Sequence, residues 1–357
     1  MKLITIVGAR PQFIKAAAVS RAFKEFFEIE EIIIHTGQHF DANMSDVFFE
    51  ELHIPKPHYN LAINSLSHGA MTGRMMESIE AVILKEKPDY VLVYGDTNST
   101  IAGALAAKKL HVKVVHVEAG LRSFNTKMPE EINRILTDRI SDVLFCPTNE
   151  AVKNLNNEGF QNIDCQIIKN GDVMQDAALY YKDLAKKPSF DLPEEFVLLT
   201  MHRAENTDDL DKLKNIISAL NSIHQKMPVF WLIHPRTKQI INSQSIDVKF
   251  HVFDPVGYLE MIYLLEHCSL VVTDSGGLQK EAFFFSKNCV TLREETEWVE
   301  LIEGGFNVLV GSDVNKINEG FDNMSKKQND FSVDLYGKGQ ASRTIASQLI
   351  THKKAND

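Results

Sequence analysis

Short β-branched runs alternate with longer stretches of helical periodicity along nearly the whole chain. In the first half the runs at 3–7, 32–35, 90–94, 113–117, 143–146 and 166–169 predict strands, bounded by turn residues. Between them lie amphipathic stretches such as 11–26, where Ile14, Ala18, Ala22 and Phe26 recur every four residues and predict a helix. Strands joined by crossover helices make a parallel sheet, so the fold class is α/β. The segment 181–195, with Lys186-Lys187-Pro188 and Leu192-Pro193, breaks the pattern and reads as a connector. The alternation then restarts at 196–200, 229–233, 249–253, 270–273, 289–292 and 307–310. Two Rossmann-like, doubly wound domains are expected, over 1–170 and 171–338. The last amphipathic stretch, 341–352, follows the break at Gly337-Lys338-Gly339, so residues 339–357 are expected to dock on a domain face.

A length of 357 residues suits two domains of ordinary size. The 38 Lys and Arg stand against 48 Asp and Glu, a net charge of −10 with no block of like charge, which argues against a nucleic-acid or acidic-membrane partner. No apolar run approaches the roughly 18 residues of a membrane span. The opening run is also too short for a secretory leader and reads as the first strand of a cytoplasmic protein. Cys146, Cys165, Cys268 and Cys289 are widely spaced, with no Cys-x-x-Cys, so they are expected as reduced, mostly buried thiols and not as a zinc site or disulfide framework.

In open α/β sheets ligands bind at the carboxyl ends of strands, so the residues just after each run carry the chemistry. After the first comes Gly8-Ala9-Arg10-Pro11-Gln12-Phe13-Ile14-Lys15, a glycine turn and a helix start flanked by cations, which suits an anion. Gly95-Asp96-Thr97 and Glu118-Ala119-Gly120-Leu121-Arg122 each place a carboxylate at a strand tip, and Glu130-Glu131 open a helix with Asn133 and Arg134 one turn on. Either glutamate can be a helix acid complementing the dipole. Carboxylates gathered in one cleft can instead divide acid and base roles. The second half supplies His202-Arg203-Ala204-Glu205-Asn206, His234-Pro235-Arg236 and Asp274-Ser275-Gly276-Gly277-Leu278-Gln279-Lys280-Glu281. The last is a strand, a Ser-Gly-Gly turn and a helix, whose free N–H groups can cradle a diphosphate, with His202 and His234 at neighbouring tips. Dinucleotide, Walker, zincin and nucleophile-elbow fingerprints are all missing from the sequence. The residues alone therefore describe carboxylates in one domain, a diphosphate cradle in the other and a nucleotide-linked substrate between them.

With these motifs in this order, together with Thr36-Gly37-Gln38-His39, the chain resembles the non-hydrolysing UDP-N-acetylglucosamine 2-epimerases over essentially its full length. The resemblance implies two Rossmann-like domains in the GT-B arrangement, with the C-terminal helix returning to the first domain. It implies an isomerase that inverts C2 of a UDP-sugar by eliminating UDP to a 2-acetamidoglycal and re-adding it, without metal or cofactor, as a cytoplasmic homodimer. Carried over motif by motif, Asp96, Glu118 and Glu130 resemble the acid–base carboxylates. His202 and Arg10 resemble the diphosphate-stabilising groups, and Lys15 a neighbouring cation. Ser275, Gly276 and Gly277 resemble the cradle, with His234 beside it, and Glu281 the ribose acceptor.

The chain also departs from the family pattern. Gly-Thr-Arg-Pro-Glu is Gly-Ala-Arg-Pro-Gln here, His-Arg-Arg-Glu-Asn is His-Arg-Ala-Glu-Asn, and Thr-Glu-Arg-Pro-Glu is Thr296-Glu297-Trp298-Val299-Glu300. Phe40-Asp41 stands where an Arg-Gln pair commonly accompanies activation by a second UDP-GlcNAc, which argues against such activation. Two sugars remain open. The main expectation is conversion of UDP-GlcNAc to UDP-ManNAc. The alternative is the branch acting on UDP-2,3-diacetamido-2,3-dideoxyglucuronate for surface polysaccharide, where Ala9 and Gln12 would lessen repulsion of a uronate carboxylate. A hydrolysing epimerase and a GT-B glycosyltransferase are further alternatives.

Overall fold

The computed structural model describes residues 1–38, 49 and 52–356. The Phe40-Asp41 motif, and the His39 of its neighbour, lie outside these residues. Thirteen strands are found among them, all paired in parallel. The first sheet contains β1 (Lys2–Val7), β2 (Glu30–His35), β3 (Tyr59–Asn60), β4 (Tyr90–Tyr94), β5 (Lys113–Val117), β6 (Val143–Cys146) and β7 (Gln166–Lys169), in the order β3-β2-β1-β4-β5-β6-β7. The second contains β8 (Val197–Thr200), β9 (Val229–Leu232), β10 (His251–Phe253), β11 (Leu270–Thr273), β12 (Cys289–Thr291) and β13 (Asn307–Leu309), in the order β10-β9-β8-β11-β12-β13. Both are doubly wound sheets whose order reverses beside their first strand, opening a crevice between β1 and β4 in one and between β8 and β11 in the other.

The sequence explains the sheets directly. Every residue of β4 and β6 is buried, as expected of parallel strands covered by helices on both faces. The second sheet packs Val197, Leu199, Val229, Trp231, Leu270 and Val272 against Leu213, Ile216, Leu220 and Ile223 of the helix Leu210–His224. Strand β3 was not among the expected strands. It is only two residues long and is defined by pairing Ile34 with Tyr59 and His35 with Asn60, a long-range contact with no local signature. The helix expected over 11–26 runs Arg10–Phe23, and the connector begins only after the helix Val173–Lys182.

The chain divides into two compact units, residues 1–177 with 334–357, and residues 178–333. The first boundary falls inside the helix Val173–Lys182 instead of at 170, because the chain just before that helix is bound to the C-terminal segment. The Asp172 N–H donates to the Tyr336 carbonyl at 2.8 Å, and Gly171, at φ +90°, presses so closely on Tyr336 that a Cβ there would lie 2.4 Å from its carbonyl oxygen. The last helix, Ala341–Asn356, belongs to the first unit. Asp176 accepts from the N–H groups of Ala341 and Ser342 at 3.1 and 2.6 Å, Arg343 pairs with Glu25, and His352 and Lys353 meet Tyr90 and Asp89. Its inward residues Ile345, Ala346 and Leu349 are fully buried. Among the described residues no helix is long and apolar enough to cross a membrane.

Candidate active site

In the first unit the crevice is built from the ends of β1, β4 and β5. The chain leaves β1 through Gly8, where any Cβ would collide with the Ser99 and Thr36 hydroxyls, at 2.1 and 2.2 Å, so only glycine fits. Helix Arg10–Phe23 then carries Pro11 and no acid in its first turn, a helix start that suits an anion. Arg10 is its first residue and partly exposed. Gln12 is only 2 % exposed. Its Oε1 accepts from the N–H groups of Gly8 and Ala9 at 2.8 and 3.0 Å. Its Nε2 donates to the Tyr94 carbonyl at 2.7 Å and faces the Thr97 and Thr100 hydroxyls. Gln12 thus clasps the end of β1 to the end of β4. Its amide is satisfied within the protein, so the expected easing of a uronate carboxylate by its missing charge finds no support in where its polar atoms point.

Lys15, 8 % exposed, reaches from the same helix to form an ion pair with Glu118 at the tip of β5. Glu118 holds φ at +72°, a left-handed conformation uncommon for a side-chain-bearing residue. Its own N–H and that of Ala119 both donate to the Phe145 carbonyl, which fixes the bend. A Cβ on Gly95 would lie 3.2 Å from Glu118 Oε2 and 3.6 Å from Lys15 Nζ, so the end of β4 meets this pair. The next residue, Asp96, forms an ion pair with Arg134, and its carbonyl accepts from Asn133 Nδ2 at 2.9 Å.

The two adjacent glutamates of helix Pro129–Ile140 have separate fates. Glu131 is fully buried and accepts from the N–H groups of Ser123 and Phe124 and from Arg134. Burial alone would raise its pKa, but these donors hold it below the usual carboxylate value. Glu130 is exposed and lines a pocket of about 220 Å³ together with Lys15, Asp96, Thr97, Asn98 and Asn133. Gln38, from the Thr36-Gly37-Gln38-His39 motif that follows β2, also lines it, and so does His68, which follows no predicted strand and had no signal in the sequence.

In the second unit the crevice between β8 and β11 is organised by Asp274, which is fully buried. Its carboxylate accepts from the N–H groups of His202 and Arg203, at 3.1 and 2.9 Å, and from Asn206 Nδ2 at 3.2 Å. His202 therefore stands at the tip of β8 with its ring exposed and its Nδ1 3.7 Å from Asp274. The His234 ring lies 6.3 Å from it, centroid to centroid, and caps helix Pro235–Ser243 by accepting from the Arg236 N–H. Helix Gly276–Phe284 begins at Ser275, whose hydroxyl accepts from the Leu278 N–H, and open space surrounds Gly277 where a side chain would project. A Cβ on Gly276 would instead meet the Glu297 carboxylate, which pairs with Arg293 at 3.0 Å. Glu281 lies on the same helix, 9 % exposed. Such a helix start, with two histidines nearby, can bind a diphosphate. Among the described residues no group of three or more His, Cys, Asp or Glu is placed to hold a metal ion.

A sequence profile described as UDP-N-acetylglucosamine 2-epimerase matches residues 21–350 of this chain. The chain belongs to that family. It is 58 % identical to the UDP-2,3-diacetamido-2,3-dideoxy-D-glucuronate 2-epimerase of Pseudomonas aeruginosa, covering 98 % of this chain and 99 % of that one. It is 43 % identical to a UDP-N-acetylglucosamine 2-epimerase of Methanococcus maripaludis, over 99 % of both. A crystal structure of Methanocaldococcus jannaschii UDP-GlcNAc 2-epimerase, in complex with UDP-GlcNAc and UDP, superimposes with a TM-score of 0.86 at 42 % identity, over 99 % of this chain and all of that one. The expected α/β class and GT-B-like kinship of this 2-epimerase family member are thereby established. Within the first unit the structure gathers Lys15, Asp96, Glu118 and Glu130. Within the second it sets His202, His234, Ser275 and Gly277 around the ends of β8, β9 and β11.

Proposed function

We propose that this chain inverts C2 of a UDP-linked 2-acetamido-2-deoxy sugar by elimination and re-addition of UDP. The supporting observation is the crevice of the first unit, where three carboxylates stand at strand and helix ends and two of them are paired to cations. The C2–H bond is weakly acidic, so a base must take its proton while the C1–O bond breaks and its electrons leave with UDP. Asp96, Glu118 and Glu130 are the candidate proton carriers, one removing the C2 proton and another returning one to the opposite face of the glycal as UDP adds back at C1. His202 and Arg10 stabilise the negative charge of the departing diphosphate, and Lys15 is a neighbouring cation, paired with Glu118. Ser275, Gly276 and Gly277 cradle that diphosphate, His234 stands beside it, and Glu281 accepts from the ribose hydroxyls. The reaction needs no redox cofactor, because C2 begins and ends at the same oxidation level.

For the sugar we infer UDP-2,3-diacetamido-2,3-dideoxyglucuronate, supported by the 58 % identity to an enzyme named for that substrate. UDP-GlcNAc is the second reading, supported by relatives of that name at 42–43 %. Comparing kcat/KM for the two UDP-sugars decides between them, and a preference for the uronate above about 10² is expected. In D₂O, deuterium should enter C2 of substrate and product, and an enzyme that leaves C2 undeuterated would overturn the elimination mechanism. We further propose a cytoplasmic homodimer. The four free cysteines suit a reducing compartment, and exposed Phe124, Ile132 and Leu136 supply apolar surface for self-association, which sedimentation would detect.

A further inference from the structure

Behind the tip of β4 lies His116, the fourth residue of β5, with no exposed surface. Its Nε2 is 2.7 Å from the Gly95 carbonyl oxygen and its Nδ1 is 2.6 Å from Asp138 Oδ1. A carbonyl only accepts, so Nε2 carries a hydrogen. Asp138 is equally buried, and its other oxygen accepts from the Arg122 guanidinium at 2.7 Å and from the Gly120 N–H at 3.1 Å. The ring is thereby held at both nitrogens, one against the end of β4 and the other against a buried carboxylate.

We propose that His116 positions Asp96, by gripping the peptide immediately before it. The carboxylate that holds the ring is itself fixed. Arg122 joins Asp138 to Glu158, which takes the other edge of the Arg122 guanidinium at 2.6 and 2.8 Å. Gly95 sits at φ +62°, and its N–H donates to the Val117 carbonyl while its own carbonyl turns inward to His116. Asp96 is then pinned on its far side, its carbonyl by Asn133 and its carboxylate by Arg134. The short hydrogen bond from His116 to the Gly95 carbonyl removes the slack a loop carboxylate would otherwise have. His116 does not face the pocket, so its effect on the reaction passes through Asp96.

This proposal rests on Asp96 being an acid–base group, and the experiments separate the two. His116→Gln and Asp138→Asn should each lower kcat by ~10–10² while KM and UDP affinity stay within about twofold. Adding His116→Gln to Asp96→Asn should cost almost nothing more, since both act at one carboxylate. If Asp96→Asn loses activity but His116→Gln retains full kcat, the positioning role fails. If Asp96→Asn is itself fully active, the reading of Asp96 fails instead. Should His116→Gln not fold, the kinetics of Asp138→Asn still decide.

Discussion

Neighbouring side chains of one type can do unrelated work, and Glu130 and Glu131 are the clearest case. Both read as first-turn helix acids in the sequence, and only the folded packing of the 123–124 loop separates the buried ligand of Ser123, Phe124 and Arg134 from the pocket-lining carboxylate. Glu131→Gln is expected to lower stability by about 1–3 kcal/mol in denaturant titrations. Glu130→Gln should shift it by less than about 0.5 kcal/mol yet reduce kcat by ~10²–10⁴. A second prediction concerns His35, which is buried at the end of β2 with its ring edge-on to Phe13, beside Phe49. Burial lowers its pKa from 6.5 to about 4. The unfolded chain binds this proton near pH 6.5 and the folded one only near pH 4, so the unfolded state holds more protons between them. Stability should therefore fall as pH drops through that window, by about 3 kcal/mol for this group alone. His35→Phe, compared by urea unfolding across the same range, should lose that part of the slope.

At the scale of elements, the long apolar strands were legible because burial on both faces writes an unbroken run, and five of the thirteen keep the expected limits unchanged. Strand tips carrying Asp96, Glu118, His202 and Ser275 were legible for the same reason, since a polar cluster after such a run has few structural uses. The Gln12 clasp was not legible. Its partners come from both the turn after β1 and the segment after β4, and nothing local marks a glutamine that must accept twice and donate twice. Gln12→Glu removes the donors to the Tyr94 carbonyl, and loss of this clasp is expected to cost about 1–3 kcal/mol in thermal unfolding. Asp176 acts in the same way at a distance of more than 160 residues, satisfying the first N–H groups of helix Ala341–Asn356. Asp176→Ala should cost about 1–2 kcal/mol and raise hydrogen exchange first at that helix's N-terminus.

At the scale of the whole molecule the two units are unequal in connectivity. Residues 178–333 are one uninterrupted stretch with a complete six-stranded sheet and a core of their own, whereas the other unit closes only with residues 334–357. A fragment of residues 178–333 is expected to unfold cooperatively and to bind UDP. A fragment of residues 1–177, lacking the last helix, should bind a dye for exposed apolar surface until a peptide of residues 334–357 is added. Fluorescence and calorimetry on the two fragments check this. The same discontinuity gives synthesis a timetable. A ribosome adding about 5–20 residues per second completes the first sheet and then needs on the order of 10–30 s before the helix that covers it emerges. Throughout that interval the nascent chain carries an uncovered hydrophobic face, so the earliest-made part of this enzyme is the last to be finished.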